Sequence, residues 1–215
     1  MPDFHLERDF WNEGRRRVAG VDEVGRGCLF GPVVAAAVIL PPTVRDLPDN
    51  PAGWPAWLAE VNDSKLLSSA RRQRLARFIL AEAEAVGLGL VSPAEIDRLN
   101  IHRASLEAMR RAVSSLAREP DSLLLDGFPI KDVNYPQRPV RGGDRASVSI
   151  AAASIIAKVF RDEAVMRLDS VFKGYGLDRH KGYGTPEHYR ALAHLGPTPY
   201  HRRSFRLGPK VEGQD

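Results

Sequence analysis

The chain has one cysteine, Cys28, in 215 residues. A single thiol excludes an internal disulfide and a thiolate zinc site, and it suits a reducing compartment, so a cytoplasmic location is expected. Long hydrophobic runs are also missing. The longest, Gly31 to Leu40, is about half of what a spanning helix requires. Met1 to Arg17 carries charge throughout, unlike a leader with an apolar centre, and no membrane partner is expected. No low-complexity tract or internal repeat is visible, and 43% hydrophobic with 27% charged residues is the composition of an ordinary globular chain. Neither sign of charge dominates. The formal net charge of +4 permits contact with phosphates without demonstrating it, although basic residues cluster late, at Arg179-His180-Lys181 and His201-Arg202-Arg203-Ser204-Phe205-Arg206.

What is present reads as alternating elements. Val18 to Val21 and Pro32 to Leu40 are short apolar strands around the turn Gly25-Arg26-Gly27, an opening hairpin. Leu75, Phe78, Ile79, Ala83 and Val86 recur at helical spacing and predict an amphipathic helix over Ser68 to Val86, stopped by Gly87. Ser92-Pro93-Ala94-Glu95 is a capping box that starts a short helix, handing over near Asn100 to a second. Leu123 to Leu125 predicts a buried strand ending at Asp126-Gly127, and Ile150 to Val171 the longest helix. Thr185-Pro186-Glu187 starts a last helix with Tyr189, Leu192 and Leu195 inward, and Gly196 ends it. The expected class is α/β: a mixed sheet with helices packed on it and a C-terminal helical extension. The chain divides into an N-terminal arm (1–16), a main domain (17–206) and a loose tail (207–215). Residues Pro41 to Pro55 form a proline-rich loop.

Asp22-Glu23 places two carboxylates at a strand end beside glycines. Neighbouring side chains on a strand point to opposite faces, so both reach one ion only if the strand ends or bends there. Alone, such a pair is ordinarily a solvated turn. A dinucleotide fingerprint is rejected, because the third glycine is displaced to Gly31 and two carboxylates upstream would repel a pyrophosphate. Asp126 is delivered to the mouth of its apolar strand, and Asp144 lies in Gly143-Asp144 ahead of the long helix. Each is equally readable as a turn residue. Convergence of the four would have to come from the fold.

In order along the chain stand Gly20-Val21-Asp22-Glu23-Val24-Gly25-Arg26-Gly27, Asn62-Asp63-Ser64-Lys65, Leu124-Leu125-Asp126-Gly127, Gly143-Asp144, Ala152 to Val159, and His180-Lys181-Gly182-Tyr183-Gly184-Thr185. Together they closely resemble bacterial ribonuclease HII, from about Arg17 to Phe205. The resemblance implies a ribonuclease H-like fold and an endonuclease acting on RNA/DNA hybrids and on duplex DNA containing ribonucleotides. It also implies Asp22, Glu23, Asp126 and Asp144 as catalytic and metal-holding residues. Asp162 is a competing candidate, read as supporting or salt-bridged. Carboxylate oxygens are hard ligands, which favour Mg²⁺ or Mn²⁺ over zinc, and a two-metal mechanism follows. The implied cut lies 5′ of a ribonucleotide and leaves 3′-hydroxyl and 5′-phosphate ends.

By the same resemblance Gly25, Arg26 and Gly27 contact the ribose at the cut, and Tyr183 stacks under the sugar beyond the junction. Lys65 and Arg202-Arg203-Ser204-Phe205 are expected phosphate contacts. His102, His188 and His194 are read as surface or packing residues, and Cys28 as a small apolar one. A monomer is expected. The competing functions are a nuclease of the same fold acting on branched or single-stranded DNA, and a non-catalytic hybrid-binding module.

Overall fold

A computed structural model describes residues 1–208, so the expected tail lies outside the described residues from 209 onward. Five strands, β1 Val18–Val24, β2 Val33–Ile39, β3 Ala85–Val91, β4 Ser122–Asp126 and β5 Gln137–Val140, form one sheet in the order β3-β2-β1-β4-β5. β1 pairs antiparallel with β2, and β2 with β3. β4 pairs parallel with both β1 and β5. The helices are α1 His5–Asn12, α2 Ala56–Ala59, α3 Ser69–Glu82, α4 Pro93–Leu99, α5 Ile101–Ser114, α6 Val148–Asp169, α7 Leu177–His180 and α8 Pro186–Leu195.

The expected mixed α/β architecture, a sheet with helices packed on it, is what forms. β2, VVAAAVI, is buried at every position because helices cover both faces of the sheet. Its alternate residues serve two cores. Ala36 and Val38 pack towards α3 and α6 with Leu75, Ile79 and Ala152, while Ala35 and Ala37 pack towards α5 with Ala108 and Met109. Fully buried side chains such as Leu75 and Ile79 each contribute on the order of 1.5–3 kcal/mol. The small residues of α6 serve close approach: a Cβ on Gly20 of β1 would collide with the α6 backbone at Ser149 and Ile150.

Several elements differ from their sequence reading. The helix predicted to Val86 ends at Glu82, and Ala85–Val91 is the edge strand β3. Gly87 is no helix stop. Gly87 and Gly89 lie where a Cβ would strike the backbone carbonyls of Ala112 and Ala108, so they let α5 press directly on the sheet. β5 also escaped the reading, being short, half exposed and interrupted by Pro139, as an edge strand tolerates. Leu195 is exposed, not inward. The proline-rich loop makes two 3₁₀ turns, Pro42–Asp46 and Pro51–Gly53, and buries Val44 and Trp54.

Residues 1–16 are not a detached arm. Phe4 and Phe10 of this segment are buried, and Glu7 accepts hydrogen bonds from Ser147 Oγ (2.6 Å), Ser149 N (2.9 Å) and Ser149 Oγ (2.7 Å) at the start of α6. The C-terminal helices build a smaller core around Leu29, Phe30, Tyr175, Leu177 and Leu192. Bridges Cys28↔Tyr183 and Phe30↔His201 tie this core to the loop after β1. Among the described residues no helix is long and apolar enough to cross a membrane.

Candidate active site

β1 does not end at Asp22-Glu23 as the sequence suggested; it runs on to Val24. The two carboxylates therefore stand on opposite faces. Asp22 lies opposite Ala36 of β2 and so shares the sheet face covered by α6. Glu23 faces α5, in a recess bordered by Ser105, Met109 and Asp126. Val21 lies opposite Leu125 on parallel β4, so the next residues, Asp22 and Asp126, fall side by side. Asp126 Oδ1 accepts the Gly143 N–H at 2.7 Å, which draws the 3₁₀ turn Gly143–Arg145 against the strand end and brings in buried Asp144.

Asp22, Glu23 and Asp144 are each raised first by burial, with neighbouring carboxylates adding to it. Burial, then the neighbouring carboxylates Glu23 and Asp126, hold Asp22 well above the usual carboxylate range. Burial pushes Glu23 up to about 7 against the pull of Arg26. Asp144 is also raised, by burial and then by Asp63. Two protein cations already touch the group: Arg26 Nη1 lies 2.9 Å from Glu23 and Lys65 Nζ 3.6 Å from Asp144.

A divalent cation suits this donor set. All four donors are hard carboxylate oxygens, and Glu23 Oε2 is buried with no hydrogen-bond partner. Among the described residues no three His, Cys, Asp or Glu side chains stand grouped as a ready-made cage. Asp63 is a member the sequence reading missed: it is fully buried, accepts the Lys65 N–H at 2.9 Å, and pairs with Arg145 at 3.1 Å. Its position at the head of the Ser64–Leu66 turn, where Asp is a favoured cap, was the available signal.

Around the carboxylates lie the other expected residues. Arg26 and Gly27 are exposed, and Gly25 is buried with φ +96°, a conformation that favours glycine. A Cβ on Gly25 would also strike Arg161, whereas a Cβ on Gly27 would meet nothing. The protein itself therefore requires glycine at 25 and not at 27. Tyr183 is partly exposed next to Cys28, with Lys158 Nζ 5.1 Å and Arg161 Cζ 5.7 Å from its ring centre. The Lys65 side chain is 77% exposed. Asp162 is ion-paired to Lys158 at 3.0 Å. Arg202 corrects an expectation: it is fully buried and so cannot reach a phosphate. An arginine in a basic run carries no local sign that its side chain turns inward. His188 is buried, whereas His102 and His194 are exposed.

A family model described as Ribonuclease HII matches residues 19–207. Ribonuclease HII of Moorella thermoacetica is 52% identical over 200 residues, covering 93% of this chain and 91% of its own. That of Geobacter metallireducens is 48% identical over 207 residues, covering 93% and 92%. Among solved structures, ribonuclease H2 from Pyrococcus horikoshii OT3 superposes with a TM-score of 0.71 at 26% identity, covering 89% of this chain and 94% of that one. Ribonuclease HII of Archaeoglobus fulgidus, solved in complex with PCNA, gives 0.67 at 26% identity, covering 91% and 98%. The carboxylates at the ends of β1 and β4 thus belong to a chain whose sequence matches one family over nearly its full length, and this chain is a member of the ribonuclease HII family.

Proposed function

We propose that this chain, as a monomer in the cytoplasm, cuts RNA/DNA hybrids and duplex DNA on the 5′ side of single ribonucleotides, leaving 3′-hydroxyl and 5′-phosphate ends. Residues 17–206 form the catalytic domain in this reading. Family membership makes the chain a ribonuclease H of type 2, a hydrolase of RNA/DNA hybrids. The finer reading rests chiefly on one observation: Asp22 and Asp126 end adjacent parallel strands, and the hydrogen bond from Gly143 N–H to Asp126 brings buried Asp144 to the same strand ends.

Such crowding favours positive charge. Asp22, Glu23, Asp126 and Asp144 would hold two Mg²⁺ or Mn²⁺ ions, which supply activation of the attacking water and stabilisation of the leaving 3′ oxygen. The protein's part is placement. Asp22 and Asp126 are fixed by adjacent parallel strands, Asp144 by the turn that Asp126 anchors, and Glu23 by the opposite face of β1. Lys65, extended into solvent beside Asp144, would contact a backbone phosphate. The Gly25-Arg26-Gly27 backbone would contact the ribose 2′-hydroxyl, the group that separates RNA from DNA. The exposed Tyr183 ring would stack under the next sugar.

Incubation with Mg²⁺ or Mn²⁺ and a DNA duplex holding one ribonucleotide, beside an all-DNA duplex, tests the reading. A chelation-sensitive cut on the 5′ side of the ribonucleotide is expected. No cut, or equal cutting of both duplexes, overturns it.

A further inference from the structure

Two fully buried arginines lie beneath the Gly-Arg-Gly loop, and both spend their donors on backbone carbonyls. Arg202 donates from Nε to Gly31 O (3.0 Å) and from Nη1 to Arg26 O (2.9 Å). Arg161 donates to Pro32 O (3.3 Å), Lys181 O (3.0 Å) and Phe30 O (3.0 Å). The carbonyls of residues 26 and 30–32 are thereby all turned to the protein side. Peptide geometry sets what faces the other way. In a planar trans peptide the N–H points opposite to the carbonyl, so holding Arg26 C=O inward aims the Gly27 N–H outward. Gly27 is exposed, and its N–H has no acceptor among the described residues.

Stability alone does not explain Arg202. It has no carboxylate within ion-pair distance among the described residues, its Cζ lies 5.1 Å from the Phe205 ring centre, and its Nη2 is buried without a partner. A buried charge with no carboxylate partner and an unmet donor is costlier than an apolar side chain of the same volume.

We propose that Arg202, assisted by Arg161, is a positioning residue for ribonucleotide selectivity: it fixes the Gly27 N–H where the 2′-oxygen at the cut accepts it. The inference rests on the proposed activity and adds the group that enforces it. Lysine at position 202 keeps the charge but cannot fork between two carbonyls.

Arg202→Lys and Arg161→Lys are compared with the unmutated chain on duplexes carrying one ribonucleotide or one 2′-fluoro nucleotide, with thermal melting measured alongside. For Arg202→Lys, kcat on the ribonucleotide should fall about tenfold with KM nearly unchanged, and the melting temperature should fall as well, because one buried carbonyl loses its donor. Its preference for ribonucleotide over 2′-fluoro should fall as well, with a smaller effect in Arg161→Lys. Equal losses on both duplexes, or unchanged preference, overturn the proposal. The unmutated chain gives a second readout that does not depend on the variants folding. With chelator present, the Gly27 amide resonance should move when the ribonucleotide duplex is added and not with all-DNA duplex, and equal movement overturns the proposal. Failure of the unmutated enzyme to cut the ribonucleotide duplex overturns the proposed activity itself, an outcome distinct from selective cutting that the variants preserve.

Discussion

His201 donates its Nε2 hydrogen to Nε2 of His188 across 3.0 Å, and both rings are buried. Their partners fix the tautomers. Thr198 N–H donates to His201 Nδ1, and His188 Nδ1 donates to Tyr183 O, each at 2.9 Å. The His180 ring stacks on His188 with centres 4.4 Å apart. Burial pushes His201 down to about 4 and lowers His188 too. Between about pH 6.5 and 4 the unfolded chain therefore binds more protons than the folded one, and these rings' contribution to stability is lost as pH falls through that window. The urea midpoint should drop between pH 7 and 4.5, and the drop should be smaller in His201→Gln. Equal drops in both chains would refute the assignment.

Asp126→Asn retains an oxygen to accept the Gly143 N–H and removes a negative charge from the carboxylate group. Turnover on hybrid should fall by roughly a hundredfold or more, about 2.7 kcal/mol of transition-state stabilisation, while hybrid affinity measured by fluorescence anisotropy persists. A non-catalytic binding module would show no loss, because it has no turnover to lose.

Gly89→Ala sets two effects of opposite sign against each other. Reduced freedom of the unfolded chain stabilises by about 0.4–1 kcal/mol, but the new methyl would drive into the Ala108 carbonyl of α5, and overpacking of that kind costs about 1–3 kcal/mol. Backbone on a packed helix yields little, so the collision should win. Net destabilisation by urea denaturation is expected, and a gain would mean that α5 does not press on β3.

Glu7→Ala removes the acceptor shared by Ser147 Oγ, Ser149 N and Ser149 Oγ in a fully buried setting. A loss of about 3 kcal/mol is expected from the stranded donors. Burial raises the Glu7 carboxyl, so charge is itself unfavourable there, and Glu7→Gln, neutral and still an acceptor, should cost distinctly less. Equal costs in denaturant titrations would contradict that ordering.

What the sequence made legible was local. The β1–β2 hairpin, the Ser92-Glu95 capping box and the start of α8 at Thr185-Pro186 each announce themselves within a few residues. The candidate carboxylates were legible through their motifs, but not their arrangement, since the continuation of β1 past Glu23 depends on pairing with Ala35 and Val34 of β2. β3 was hidden because Gly87 and Gly89 look like breaks until α5 is seen lying on them. Asp63 and Arg202 were hidden for a common reason: polar residues in loops show no sign of burial until the distant segments that receive them, at Arg145 and at Arg26 with Gly31, are in place.

The alternation of Asp22 and Glu23 across β1 makes the candidate centre a matter of parity. A single residue inserted between Val18 and Asp22 would exchange the two faces, carrying the longer carboxylate to α6 and the shorter to α5. A second insertion would restore the faces while displacing both carboxylates along the strand by nearly 7 Å, about two residues of rise. The segment is thus closed to changes of length by the same ladder that holds the two carboxylates in place. Variation in this part of the chain is confined to substitutions, and at Gly20, whose missing side chain is the room α6 occupies, even those are barred.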